Sequence, residues 1–512
     1  MTDWTAGYVA DVGYTYGYYT ELNPLRVKLA FLNAGLVFPE VGNACELGFG
    51  QGLSANFHAA ASTVKWCGTD FNPAQAAFAQ ELADAADSGA RLYDDAFADF
   101  CTRTDLPDFD YIGLHGIWTW ISDENRTIIV DFIRRKLKVG GVLYVSYNTL
   151  PGWASYVPLR HLLTEHAEVI GSEGHGIVSR VDGALEFATR LLATNPAYAR
   201  GTPLVDERLK LMRDQNRRYL AHEYFNRDWH PMHFATMAQW LEPAKLSYAC
   251  SAHYLDHIDQ LNLTGEQLSF LKEIPDANFR ETVRDFMVNQ QFRKDYWVKG
   301  ARKLSALEQA EVLRDQQVIL ATHRADVVLK VKGALGDADM NAAVYAPILD
   351  VLADHKVKTL GQIEQTLRGN NGLNFGKLLQ AIMVLAGAGY LMPVQEEQSV
   401  AKVKKSTDKL NKHLMDKARG NGEINYLASP TIGGGVAVGR IAQLFLLARE
   451  QGRKTPQDWA DYAWQVLASQ GQRIQKEGKT LESVEENRAH LGAQAQTFAD
   501  KQLPLLKALQ IA

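Results

Sequence analysis

Three glycines at alternate positions constrain this chain more than any other stretch. Ala44-Cys45-Glu46-Leu47-Gly48-Phe49-Gly50-Gln51-Gly52 runs an apolar segment into a turn, and Leu53-Ser54-Ala55-Asn56-Phe57-His58-Ala59 continues as the start of a helix. Glycine lets the backbone turn sharply and lie close to a ligand that side chains would hold off. Amides at the head of the following helix then face whatever is bound. The same spacing also fits a plain surface turn, so the residues that follow must decide between the two.

From residue 41 to 147 strand and helix signals alternate. Apolar runs at Val41–Glu46, Val64–Asp70, Arg91–Asp94, Tyr111–His115 and Val142–Tyr147 predict strands. Helices are expected between them, the clearest being Glu124–Lys138, which stops before Gly140-Gly141. This order predicts an α/β fold, a parallel sheet with helices on both faces and a ligand at the carboxyl ends of its strands. Asp70 closes the second strand, where an acid accepts hydrogen bonds from ribose hydroxyls in dinucleotide folds. Leu53 stands where the nicotinamide pattern needs glycine or alanine. Glu46 sets a carboxylate beside the expected ligand, which would repel a pyrophosphate and attract an ammonium and a sulfonium. S-adenosylmethionine carries both.

With Asp70 and then Asp95-Ala96-Phe97, the glycine stretch resembles the first three motifs of class I S-adenosylmethionine-dependent methyltransferases, which have a Rossmann-like sheet. The resemblance implies that Glu46, Gly48, Gly50 and Gly52 border the methionine portion of S-adenosyl-L-methionine, that Asp70 binds ribose, and that Asp95 and Phe97 lie around adenine. Asp94 competes with Asp95 for the acidic role. Tyr14-Thr15-Tyr16-Gly17-Tyr18-Tyr19-Thr20-Glu21-Leu22-Asn23-Pro24, His115-Gly116-Ile117-Trp118-Thr119-Trp120 and Tyr147-Asn148-Thr149-Leu150-Pro151-Gly152-Trp153 are similar to a bacterial subgroup with a methyltransferase regulatory domain. His222-Glu223-Tyr224, Asn289-Gln290-Gln291-Phe292-Arg293 and Tyr426-Leu427-Ala428-Ser429-Pro430 carry the same likeness downstream. The subgroup includes lysine methyltransferases that modify outer-membrane proteins of rickettsiae. The resemblance therefore implies a protein substrate, an outer-membrane or surface protein before export, and a homodimer formed through the helical region.

An amine must reach the methyl group deprotonated, and an apolar aromatic pocket disfavours the ammonium form. Tyr14, Tyr18, His115 and Trp118 are the candidates for that pocket, with His115 or a tyrosine as proton acceptor. The tyrosine-rich start fits a lid over a ligand or simple packing on the domain. Asn-Pro-Pro-Tyr, which marks many methyltransferases acting on amides and base amines, is absent after the fourth strand, where Leu114-His115-Gly116-Ile117 stands. Methylation of a glycan or small metabolite, or a non-catalytic scaffold that binds S-adenosylmethionine, remain the alternatives.

Composition narrows the partners. A formal charge of −5 over 512 residues argues against nucleic acid as the main partner. No apolar run is long enough to span a membrane, and no secretory leader is visible, so a cytoplasmic protein is expected. The cysteines, 45, 67, 101 and 250, lack ligand-like spacing. His222, His230 and His233 invite a metal reading, but Pro231 marks a helix start there and no metal is expected.

The expected domains are 1–154, the Rossmann-like sheet; 155–330, a helical middle or regulatory region in which 246–250 rejoins the sheet; 331–395; and 396–512, mostly helical. Residues 255–325 read as helix, with Arg293 pointing at the active site or at a carboxylate of a neighbouring domain. Helices at about 342–354, 359–368 and 375–387 followed by a hairpin have the order of a winged helix. The third holds a single lysine, which favours protein contact over DNA. The lysine-rich stretch 395–422 reads as a solvated helix or linker, and 429–435 as a flexible turn.

Overall fold

The computed structural model describes residues 5, 7–9, 13, 15–171, 174, 176–369 and 373–512. Its centre is a seven-stranded sheet of β1 (Asn43–Leu47), β2 (Lys65–Thr69), β3 (Arg91–Tyr93), β4 (Phe109–Leu114), β5 (Leu137–Asn148), β6 (Leu246–Ser251) and β7 (Phe292–Lys299). The strands lie in the order β3-β2-β1-β4-β5-β7-β6. The first five run parallel, while β7 is antiparallel to both β5 and β6. The chain order turns back between β1 and β4, which leaves a crevice at the carboxyl ends of those strands.

Helices α1 (Pro24–Asn33), α2 (Leu53–Ala61), α3 (Pro73–Ala86), α4 (Phe97–Phe100) and α5 (Asp123–Lys136) belong to the same domain. Asn23 and Asn72 cap α1 and α3 with side-chain oxygens ahead of a proline at the first helical position. Every residue of α2 is buried. Its alanines and serine allow close approach by the sheet on one side and, on the other, by the helix Glu397–Ala418 and the hairpin Tyr426–Ser429/Gly434–Ala437.

Four expectations need correction. β5 starts at Leu137 and runs through Gly140-Gly141, because Phe109 pairs with Leu137 and Tyr111 with Val142, so the residues between bulge out of the ladder. Within 255–325, expected to be helical, β7 inserts between β5 and β6, and Gln317–Leu320 is a further strand. Among the described residues no hairpin follows the helices Ala342–Val351, Leu360–Thr366 and Phe375–Gly387. The strand Leu391–Pro393 pairs instead with Gln317–Leu320, which precedes them. The stretch 395–422 is a helix solvated on one face only, since Val400, Val403, Leu410 and Leu414 form a buried stripe against α2 and α3.

Arg293 lies on β7, enclosed by carboxylates of its own region. It binds Asp285 at 2.6 Å, Asp295 at 2.9 Å and Glu281 at 2.9 Å, and Tyr147 Oη donates to Asp295 at 2.8 Å. This buried network ties the helix Ala277–Met287 to the β5–β7 pair.

Candidate active site

A cavity opens at the carboxyl ends of β1, β2 and β4 and holds about 1320 Å³ of empty space with its mouth included, ample for a nucleoside with an amino-acid tail. Its floor is the glycine turn. Gly48, Gly50 and Gly52 have φ of 72°, 57° and 68°, a region that side-chain-bearing residues rarely adopt. A Cβ on Gly48 would overlap the Ile117 side chain, whereas one on Gly52 would sit 2.5 Å from the Cβ of Ala79 on α3. Gly48 therefore clears the cavity, and Gly52, outside the lining, clears the packing of α2 on α3.

The turn is bound to the end of β2. The amide of Gly48 donates to the Thr69 carbonyl at 2.8 Å, and that of Gly50 to Asp70 Oδ2 at 2.8 Å. The Asn72 amide donates to Asp70 Oδ1 at 3.0 Å. Burial pushes the Asp70 carboxyl up to about 6, against the pull of these two amides. Glu46 is buried at the end of β1 and does not line the cavity. Burial, with Asp70 nearby, pushes its carboxyl up to about 8, and its Oε2 has no hydrogen-bond partner among the described residues. An orphaned acidic oxygen beside a glycine turn suits a cationic ligand group.

Asp95 and Phe97 line the far wall, while Asp94 is exposed outside it. Arg103 holds Asp95 Oδ2 at 3.0 Å. On the near wall His115 follows β4, its Nδ1 sharing a 2.8 Å hydrogen bond with Tyr144 Oη. Its ring stacks on Tyr19 with centroids 3.5 Å apart and 20° between planes. Burial pushes His115 down to about 3, so the imidazole is neutral at ordinary pH. Beside it Lys294 binds Glu21 at 2.6 Å, and against the upward push of burial this pairing holds Glu21 down to about 2.

Gly48, Gly50, Asp70, Asp95, Phe97 and His115 thus share one cavity. Tyr18 and Trp118 face elsewhere, and Tyr14 lies outside the described residues. Around Tyr19 the backbone is extended, so neighbouring side chains point to opposite sides. While Tyr19 enters the cavity, Tyr18 packs on Phe57, His58 and Tyr426. In the short 3-10 turn Trp118–Trp120, Trp118 goes into the core beside Trp240, and Trp120 lines the cavity in its place.

The roof is made of residues that the spacing did not single out. Tyr8 meets Phe71 edge-on at 5.7 Å and the His222 ring at 5.5 Å. Glu223, Asn226 and Asp228 also line the cavity, at and beyond the end of the helix Arg217–Tyr224. The Val9 amide donates to Asn226 Oδ1 at 2.9 Å, and the Arg227 amide to the Gly7 carbonyl at 3.0 Å. The tyrosine-rich start, read as a lid or as simple packing, and the family-like stretch His222-Glu223-Tyr224 pointed toward this region. The other two histidines diverge, His230 toward Asp228 and His233 onto the face of Phe286.

Comparison with known proteins gives a consistent placement. Residues 216–299, which include the roof residues His222, Glu223, Asn226 and Asp228, match the family described as "Predicted methyltransferase regulatory domain". An uncharacterized protein of Synechocystis is 40% identical over 513 residues, covering 99% of both chains. A protein of Rickettsia prowazekii is 27% identical over 290 residues, 54% of this chain and 49% of its own. Among solved structures, PKMT2 from Rickettsia typhi in complex with AdoHcy superposes with a TM-score of 0.70 at 17% identity, covering 98% of this chain and 100% of that one. Across so low an identity the superposition establishes a common fold.

Proposed function

The chain belongs to the same family as the Synechocystis protein, one that joins a methyltransferase fold to the methyltransferase regulatory domain, and on that premise we propose that it transfers methyl groups from S-adenosylmethionine to lysine side chains of a protein. The observation that carries the reading is the cavity that brings the Gly48–Gly50 floor together with Asp70, Asp95 and Phe97. The Gly48–Gly50 turn, with Glu46 buried behind it, would hold the methionine end, Asp70 the ribose, and Asp95, Phe97 and Phe71 the adenine end. AdoHcy in the Rickettsia structure is the demethylated product of such a ligand, which supports the choice.

Bound there, S-adenosylmethionine supplies an electrophilic methyl carbon, which the amine lone pair takes as the carbon–sulfur bond breaks. The chain's own contribution is to bring the amine in line and to keep it neutral. Tyr19, Trp120 and His115 give the near side of the cavity an apolar, aromatic wall that disfavours an ammonium ion. Because burial keeps His115 neutral, its ring, fixed by Tyr144 Oη through Nδ1, can accept a hydrogen bond that orients the arriving neutral amine, while the proton released by the methylated amine passes to solvent. Alignment of nucleophile and leaving group accounts for much of the acceleration in such displacements.

The test is transfer of label from methyl-tritiated S-adenosylmethionine to protein extract of the source organism, followed by acid hydrolysis. Label recovered as methyl-lysine is the expected result. Label confined to small molecules, or binding without any transfer, would overturn the reading.

A further inference from the structure

At the same end of the sheet, past His115, a second hollow extends toward the outer edge. β4, β5 and β7 are neighbours, so the start of β7 lies about 10 Å from the end of β4. Phe292 stands at that start, paired with Asn148 at the end of β5, with its ring edge-on to His115 at 6.4 Å and its side chain 37% exposed. Beyond Phe292 the hollow runs between β6, the helix Ala277–Met287 and Lys332-Gly333-Ala334.

Its charges are unbalanced. Lys272, Arg280, Arg284 and Lys332 line it, and none forms an ion pair with a described carboxylate. Counting every lining side chain, six cations, these four with Arg293 and Lys294, face four acids, Asp256, Asp259, Glu281 and Asp295. Glu281 and Asp295 bind Arg293, and Asp256 binds His253 and Ser251, so none of these three acids is in an ion pair with Lys272, Arg280, Arg284 or Lys332. Arg280 and Arg284 are also held in place, donating to the carbonyls of Ile274 at 3.3 Å and Asp256 at 2.9 Å. Their remaining N–H groups stay available in a fixed fork that suits carboxylates. Cations collected in a hollow of a protein whose net charge is −5 point to an anionic visitor rather than to general surface charge.

We propose that this groove binds an acidic stretch of the acceptor protein, the carboxylate-bearing residues that flank the methylated lysine, with Phe292 as the step over which the lysine passes to His115. The inference rests on the transfer reading above and adds what selects the substrate. A groove that reads carboxylates some 10 Å from the reacting atoms gives affinity without touching the chemistry, so its loss should raise KM and leave kcat in place.

The experiment uses the full chain and fluorescein-labelled peptides holding one central lysine between glycines, flanked by either glutamates or lysines. Binding is followed by anisotropy at low salt. The glutamate peptide is expected to bind about ten-fold more tightly than the lysine peptide, and the exposed pair Lys272→Glu/Lys332→Glu to remove that preference. Affinity for S-adenosylmethionine should stay within about two-fold in this variant, which shows that it folds. Equal binding of the two peptides, or a preference that survives the charge reversal, overturns the proposal. So does a single-stranded RNA of equal length that displaces the glutamate peptide as effectively as unlabelled peptide does, since the groove would then read any polyanion. Methyl transfer to the central lysine is scored separately. Tight, charge-dependent binding without any transfer would sink the transfer reading while the groove's preference stands.

Discussion

The glycine turn beneath the cavity and the strap above it are both irregular backbone, yet they are fixed by different means. Beneath, Gly48 and Gly50 hydrogen-bond to the end of β2, and Gly52 begins a helix that is buried along its whole length. Above, the strap at the start of the chain is tied through Val9 and Gly7 to Asn226 and Arg227, partners more than two hundred positions away, by hydrogen bonds of 2.9 and 3.0 Å, and Tyr8 adds the edge of its ring on Phe71. Moving the floor means breaking sheet and core, whereas the roof is held by contacts between loops and a helix end.

The largest expected effect is therefore on the floor. Asp70→Ala removes the acceptor of two backbone amides and the acid expected to hold ribose. Each charge-assisted hydrogen bond is worth about 1.5–3 kcal/mol, so affinity for S-adenosylmethionine should drop by about 100-fold or more in calorimetric titration. An affinity within about three-fold of the parent would remove Asp70 from the ligand.

A second, smaller effect should come from outside both regions. The hairpin turn at 429–435, expected to be flexible, is pressed onto the strap: Asn23 Nδ2 donates to the Ile432 carbonyl at 2.9 Å, and a Cβ on Gly434 would overlap Tyr18 Oη. Gly434→Ala should cost about 1–3 kcal/mol in denaturant unfolding, as overpacking does. Adding Tyr18→Phe removes the overlapping oxygen, so the double variant should lose less than the sum of the two single ones. Simple additivity would mean that the hairpin does not bear on the strap. Because Tyr19, the next residue, stacks on His115, the same variants should also weaken cofactor binding, though less than Asp70→Ala does.

The roof should respond in rate more than in stability. Tyr8→Ala deletes the ring between Phe71 and His222. Dissociation of S-adenosylmethionine in stopped flow should quicken by about ten-fold, with the melting temperature nearly unchanged. A large fall in melting temperature would make the strap as structural as the floor and erase the contrast.

The same contrast explains what could be read from the chain. Strand, glycine turn and Asp70 are local and obey fixed spacings, so the floor and His115 were legible. Tyr18 and Trp118 were named for an aromatic pocket, but their direction depends on a one-residue alternation in segments too short for periodicity to reveal. Tyr8 meets His222 only because the region 216–299 folds back over the sheet, a contact that no local pattern records. β7 escaped because Phe292–Lys299 places a charged run, Arg293-Lys294-Asp295, before an apolar one, Tyr296-Trp297-Val298, and both runs are covered by neighbours, which leaves no clean period of two.

The smallest effect expected is that of pH, and it distinguishes Glu46 from Asp70 within the floor. Glu46 sits at about 8 when folded, well above the ordinary carboxyl value that it regains on unfolding. Between the ordinary value and pH 8 the folded chain keeps a proton that the unfolded chain releases, so raising pH through this window lowers the stability of the ligand-free protein. Asp70, at about 6, acts in the same direction but is spent by neutrality. A cationic ligand favours ionised Glu46, so binding should release protons, and affinity should rise by about three-fold from pH 6 to pH 8. Glu46→Gln should flatten both trends, stabilising the ligand-free protein more at pH 8 than at pH 6 and weakening the ligand more at pH 8 than at pH 6. Calorimetric titration in two buffers of different ionisation enthalpy measures the released protons directly. If the variant still released them as the parent does, the orphaned oxygen would not face the ligand's charge.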